Sequence, residues 1–266
     1  MKITSIKRIP KKQLIVFDAD GTLALTKSAM DEEMLDLVKQ LLANKKVAVI
    51  SGAKFEVMQM QIHLERIKKW GNLQKNLFLF PTTATTFYRY AKSWKKVYSL
   101  KLSKAVVKKI KSAFEQAFAT IDYKHPKKVY GELIEDRGSQ VSFSVYGQDI
   151  VQVLGKRGVK MKELWRDKYT PIKLKIAKIV SKLLPELEVR AAGFTTIDVT
   201  NKGIDKAYGL EKMREYLKVP IKDMLFVGDA IFPGGNDYAV VKTGVDYVAV
   251  KSPDDTKKVI RQVLKK

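Results

Sequence analysis

Cysteine is absent from this 266-residue chain, and histidine occurs only twice, as His63 and His125. Without thiols there is no disulfide framework, no thiolate zinc site and no cysteine nucleophile. Two histidines do not furnish a histidine-rich metal centre, and they give a serine-histidine-aspartate triad little support. Long apolar runs are missing too, since no stretch approaches the ~20 residues needed to cross a bilayer. The apolar run behind the basic N-terminal segment, Leu14 to Phe17, is far too short for the core of a signal peptide. A soluble, cytoplasmic protein is therefore expected, with chemistry run on carboxylates, lysines, arginines and hydroxyls.

What is present suffices for a sizeable core. The chain is 45% apolar and 30% charged, which excludes the disordered class. Its 51 basic and 28 acidic residues leave a net charge of +23, a field that draws polyanions. No nucleic-acid-binding motif accompanies that charge, so a nucleic-acid partner is not expected. A small phosphorylated metabolite would benefit from the same field.

Hydrophobic patterning divides the chain. Apolar runs at Leu14–Phe17, Val47–Ile50 and Leu77–Phe80 alternate with helical stretches at Asp31–Asn44 and Phe55–Ile67. Near-continuous apolar strands separated by helices predict a parallel sheet covered on both faces. The middle changes character. A helix over Ser103–Ala119, a hairpin of Val129–Glu135 and Gln140–Tyr146 with one exposed face, a helix over Pro171–Leu184 and a hairpin over Glu188–Val199 predict an antiparallel α+β unit. Parallel-sheet features resume with a helix at Lys206–Leu217, strands at Met224–Val227 and Tyr247–Val250, and a helix at Pro253–Leu264. The fold class expected is α/β: a doubly wound parallel-sheet core, residues 1–84 and 201–266, interrupted by an α+β cap, residues 85–200.

Ligands of open α/β sheets bind beyond the carboxyl ends of the strands. Polar residues of related chemistry stand there: Asp18-Ala-Asp20-Gly21-Thr22, Ser51-Gly52, and Gly228-Asp229 followed by Pro233-Gly-Gly-Asn-Asp237, with Lys206 opening a helix. Converging carboxylates make a hard oxygen site suited to Mg²⁺. A serine and a lysine beside them would bind a phosphoryl group, and an aspartate could attack phosphorus. Asp-x-Asp-Gly alone is also a common turn and Ser-Gly a common strand exit, so the order and placement of the four elements carry the weight.

Those elements, Phe17-Asp-Ala-Asp-Gly-Thr22, Val49-Ile-Ser-Gly52, Lys206 and Phe226-Val-Gly-Asp-Ala-Ile-Phe-Pro-Gly-Gly-Asn-Asp237, resemble the haloacid dehalogenase superfamily of phosphotransferases over nearly the whole chain. Within it, Asp198-Val-Thr-Asn-Lys-Gly-Ile-Asp-Lys206 and the Pro-Gly-Gly-Asn-Asp spacing are similar to the eukaryotic-type phosphomannomutases of the α/β-capped branch. The resemblance implies Asp18 as nucleophile, forming an aspartyl-phosphate, and Asp20 as general acid/base. It implies Mg²⁺ on the Asp18 carboxylate, the Asp20 carbonyl and Asp229, with Asn236 and Asp237 in support. Ser51 and Lys206 would hold the transferring phosphoryl group beside Gly52, and Arg137, Thr196 and Asp198 would contact a sugar phosphate from the cap. It also implies a homodimer formed through the cap, although no exposed apolar stripe demands one.

Departures from the mutase pattern bear on the reaction. Gln148 stands where a second phosphate-binding arginine is expected, Gly155 falls near the third, and Lys27 replaces an arginine after the first motif. Lys156 and Arg157 are the nearest substitutes. Glutamine lacks arginine's charged fork. A weakened second phosphate site favours loss of the intermediate to water, so the expectation is a Mg²⁺-dependent phosphatase acting on a sugar phosphate. The alternative is a phosphomannomutase or phosphohexomutase. Phe87, Tyr88, Tyr90 and Trp94, interleaved with basic residues, are assigned to the core-to-cap connection and first cap strand rather than to base stacking. Trp165 and Tyr169 are assigned to packing in a cap loop, and His63 to a helix surface.

Overall fold

A computed structural model describes residues 11–265; the basic segment 1–10 and residue 266 lie outside them. The chain divides into two compact units, one running to Ser99 and resuming at Asp205, the other spanning Leu100–Ile204. The first contains β1 (Leu14–Asp18), α1 (Glu32–Asn44), β2 (Lys46–Ile50), α2 (Phe55–Gln61), α3 (Leu64–Ile67), β3 (Leu77–Phe80), β4 (Thr86–Ala91) and β5 (Ser93–Ser99). The second contains α4 (Lys104–Thr120), β6 (Ile134–Asp136), β7 (Val141–Ser144), α5 (Ile150–Leu154), α6 (Lys156–Leu183), β8 (Leu187–Ala192) and β9 (Thr196–Asn201). The chain returns to the first unit with α7 (Lys206–Leu217), β10 (Met224–Gly228), β11 (Asp246–Ala249) and α8 (Pro253–Leu264). Among the described residues no helix is long and apolar enough to cross a membrane.

The core unit is a seven-stranded sheet in the order β11-β10-β1-β2-β3-β4-β5. The first five strands are parallel and the last two antiparallel. Strand side chains alternate between two cores. Ile15, Phe17, Val47 and Val49 pack with Met34, Leu41 and Ile260 of α1 and α8, while Leu14, Val16, Ala48 and Ile50 pack with Leu210 and Met213 of α7. Burial on both faces explains why these strands read as unbroken apolar runs.

Two boundaries differ from expectation. The segment from residue 85 belongs to the core sheet, so the inserted unit begins after Ser99 and ends at Ile204. Aromatic packing explains this: Phe87 stacks on Phe80 with centroids 4.4 Å apart, and Tyr88 on Phe55 at 3.7 Å. Trp94 Nε1 donates to Gln74 Oε1 at 3.1 Å. The stretch Phe55–Ile67 is not one helix, because His63 adopts φ +53° and splits α2 from α3. Its ring Nε2 lies 2.9 Å from the Met30 carbonyl, so the residue is built into the chain's turn rather than displayed on a helix surface.

In the inserted unit the antiparallel sheet runs β6-β7-β9-β8. Phe114, Phe118, Ile176 and Val180 of α4 and α6 cover the face bearing Val141, Phe143, Ile197 and Val199. α6 does not start at Pro171 but runs through it from Lys156, carrying Trp165 and Tyr169, which were expected in a loop. Pro171 and Asp167 are both exposed, so water can serve the Asp167 carbonyl that proline leaves unbonded. His125 packs edge-on against Phe118 and Tyr123, and burial lowers its pKa.

Candidate active site

β1 delivers Asp18 from its last position. Parallel pairing sets Phe17 beside Val227 and Asp18 beside Ile50, so Ser51 and Asp229 leave β2 and β10 at the same sheet edge. Lys206 opens α7, whose N-terminus is capped by Asp205 accepting from the Tyr208 N–H at 2.8 Å. The buried Lys206 ammonium donates to Oδ1 of both Asp18 and Asp237. Asp237 Oδ2 in turn accepts from the Ala230 N–H at 3.1 Å, closing the loop after β10 onto the strand end. Two glycines permit these approaches. A Cβ at Gly21, where φ is +78°, would overlap the Asp229 carboxylate, and one at Gly228 would overlap that of Asp237.

Oxygens of Asp18, Asp229 and Asp237 lie within 4.8 Å of one another. Burial pushes the Asp18 carboxyl well above the usual range, and repulsion from Asp237 and Asp229 adds to it against the pull of Lys206. Burial, then Asp237, raises Asp229 to about 6. Burial works against the Lys206 ammonium, but Asp18 and Asp237 together outweigh it and hold the group charged. Three carboxylates against one ammonium leave two negative charges without a counterpart when all are ionised. That deficit and the all-oxygen donor set match one hard divalent cation. The residues therefore fit Mg²⁺, which Asp18 and Asp229 would hold with Asp237 in support. When bound, it would supply positive charge to the phosphoryl oxygens.

Asp20 stands apart from this cluster. Its Oδ1 accepts from the Lys27 N–H at 2.6 Å and from Gln61 Nε2 at 2.8 Å, two bonds that fix the carboxyl group and do not engage Oδ2. Gln61 was not marked in the sequence. It is 1% exposed, and its side-chain carbonyl has no partner among the described residues. Ser51 Oγ accepts from the Ala53 N–H at 3.0 Å, which keeps its own proton available to a phosphoryl oxygen.

The cap residues form a separate polar face. Strand register places Glu135, Ser142, Asp198 and Arg190 in one row across all four strands, opposite the face of Phe143 and Ile197. Ser142 Oγ donates to Asp198 Oδ1 at 2.6 Å. Arg137 Nε donates to Glu135 Oε2 and Nη2 to Gln148 Oε1, both at 2.8 Å. Ser142 and Ser144 are fully buried, so this face is not the exposed one that alternation suggested. Thr196 lies on the same face, across from Ser144. Arg190 was missed, although alternation with Val189 marks it as facing away from the apolar side. Lys156 and Arg157 are exposed in the first turn of α6.

The family model for eukaryotic phosphomannomutase matches residues 34–266. A phosphomannomutase of Encephalitozoon cuniculi is 24% identical, covering 96% of this chain and 95% of that one. One from Saccharomyces cerevisiae is 25% identical over 94% and 93%. Among solved structures, a Plasmodium falciparum IMP-nucleotidase aligns with TM-score 0.69 at 16% identity over 97% of this chain and 71% of that one. A haloacid dehalogenase-like hydrolase from Bacteroides thetaiotaomicron aligns with TM-score 0.60 at 14% identity, over 95% and 100%. These last two speak to the fold. With its strand-end aspartates and lysine in place, the chain belongs to the eukaryotic phosphomannomutase family of the haloacid dehalogenase superfamily, whose chemistry is phosphoryl transfer.

Proposed function

We propose that this protein is a phosphohexomutase of the phosphomannomutase type, interconverting hexose 1- and 6-phosphates. The Asp18 carboxylate attacks one phosphorus of a bisphosphorylated hexose, the bond to the sugar oxygen breaks, and Asp20 Oδ2 gives that oxygen its proton, leaving a hexose monophosphate and an aspartyl-phosphate. In the other half-reaction the free hydroxyl of a hexose monophosphate attacks the aspartyl-phosphate while Asp20 takes its proton, which frees Asp18 and restores the bisphosphorylated sugar. Ser51 and the charged Lys206 neutralise the equatorial oxygens in both directions. The observation that carries the mutase reading over the phosphatase one is Arg190. It stands across from Asp198 on the polar cap face and adds a second guanidinium to that unit, on edge strand β8, whereas Arg137 is held by Glu135 of the opposite edge strand β6. Retaining a bisphosphorylated sugar requires such charge.

A phosphatase is the second reading, favoured by Gln148 engaging Arg137 where a further arginine would bind phosphate. The two separate on one experiment, in which the enzyme receives Mg²⁺, mannose 1-phosphate and catalytic glucose 1,6-bisphosphate and phosphorus species are followed by NMR. Mannose 6-phosphate accumulating without inorganic phosphate is the expected result. Inorganic phosphate without the isomer establishes the phosphatase, and neither product removes hexose phosphates as the substrate class.

A further inference from the structure

Two cations of α6 grip the turn between β8 and β9. The Lys173 ammonium donates to the Gly193 carbonyl at 2.7 Å and lies 3.4 Å and 3.5 Å from those of Phe194 and Ala192. Arg166, seven residues earlier on the same helical face, sets its guanidinium 4.3 Å from the Phe194 ring centroid. The turn is packed tightly onto Thr196, since a Cβ at Gly193 would stand 2.8 Å from Thr196 Oγ1. Any shift of the turn therefore moves the start of β9, which carries Thr196 and Asp198.

We propose that Lys173, assisted by Arg166, is a positioning residue that fixes the β8–β9 turn and so sets how the cap reads the sugar phosphate. The inference rests on the role given above to Thr196 and Asp198. Lysine is a costly anchor here, because burying an ammonium is unfavourable where an apolar side chain would pack freely. Burial, reinforced by Arg166 and opposed by Asp198 of β9, pulls its pKa down to about 8. Arg190 and Glu188, paired at 3.5 Å, alternate with Val189 and so sit on the face of β8 turned away from α6.

The test uses the full-length enzyme and two substrates. Mannose 1-phosphate engages the cap, whereas p-nitrophenyl phosphate offers a phosphoryl group with no sugar to read. Lys173→Met removes the donors and keeps most of the stem, and Lys173→Gln restores donors without charge. Lys173→Met is expected to raise KM for mannose 1-phosphate roughly tenfold, the worth of a hydrogen bond to a charged group, and to leave kcat/KM for p-nitrophenyl phosphate within about twofold. Lys173→Gln recovers part of the loss, and amides 192–196 exchange hydrogen faster in the Met variant. The wild-type KM for mannose 1-phosphate rises as pH passes through about 8, and this inflection is absent from the Met variant. Equal losses on both substrates, or unchanged exchange at the turn, overturn the inference. Asp198→Ala separates the two layers. If it raises KM while Lys173→Met does not, positioning falls and the cap reading stands; if neither does, the cap reading falls and takes the inference with it.

Discussion

Without a divalent cation, Asp18, Asp229 and Asp237 crowd a site in which Lys206 pairs with Asp18 and Asp237, and this crowding has a measurable cost. Asp229 rises from 3.8 to about 6. A shift of roughly two units corresponds to about 3 kcal/mol, trimmed to about 2 kcal/mol because the group is only partly buried. The folded-state pKa lies above the unfolded value, so the folded state holds the proton more tightly. Stability therefore falls as pH rises from about 4 to about 6, and the penalty is complete above that window. Asp229→Asn removes the charge at nearly constant shape. Scanning calorimetry in EDTA at pH 7.5 should show the variant melting about 4–8 °C above wild type, at about 2–4 °C per kcal/mol for a chain of this size. The gap should shrink at pH 4.5. Millimolar Mg²⁺ should raise the wild-type Tm and leave the variant unmoved, while the variant loses turnover. A variant melting at or below wild type in EDTA at pH 7.5, or an equal Mg²⁺ response in both proteins, would refute the charge-crowding account.

Asp18→Asn should abolish turnover while far-UV circular dichroism stays unchanged; substantial residual Mg²⁺-dependent activity would remove Asp18 as the nucleophile. Gln61→Leu deprives Asp20 Oδ1 of one of its two donors, so kcat for sugar phosphates should fall about tenfold or more. Activity on p-nitrophenyl phosphate, whose leaving group departs without a proton, should fall far less, and equal losses on both would show that Gln61 does not act through Asp20. Arg190→Gln should lower, and Gln148→Arg should raise, the ratio of isomer to inorganic phosphate in the NMR assay. If neither changes that ratio, the cap arginines do not govern retention of the intermediate.

The sequence alone determined the parallel strands of the core and the residues that leave their ends. Runs such as Leu14–Phe17 and Val47–Ile50 are apolar on both pleat faces, and only a doubly covered parallel sheet buries both. Asp18, Ser51 and Asp229 follow those runs directly, so their common edge was legible from adjacency. Tertiary structure decided what depends on which distant groups meet. β4 and β5 carry patterns that suit either unit, and the stacking of Phe87 on Phe80 and Tyr88 on Phe55 assigns them to the core sheet. Lys206 was visible as a cation, but its pairing with both Asp18 and Asp237 joins residues 188 and 31 positions away. Gln61 reads as one more polar helical residue, and only the fold brings the end of α2 against Asp20, 41 positions away. The row of Glu135, Ser142, Asp198 and Arg190 exists only through strand register, and a slip of one residue would turn each side chain to the opposite face. Local hydrophobic pattern commits a segment to an element, whereas charge pairing and register are set by packing between segments that the sequence keeps far apart.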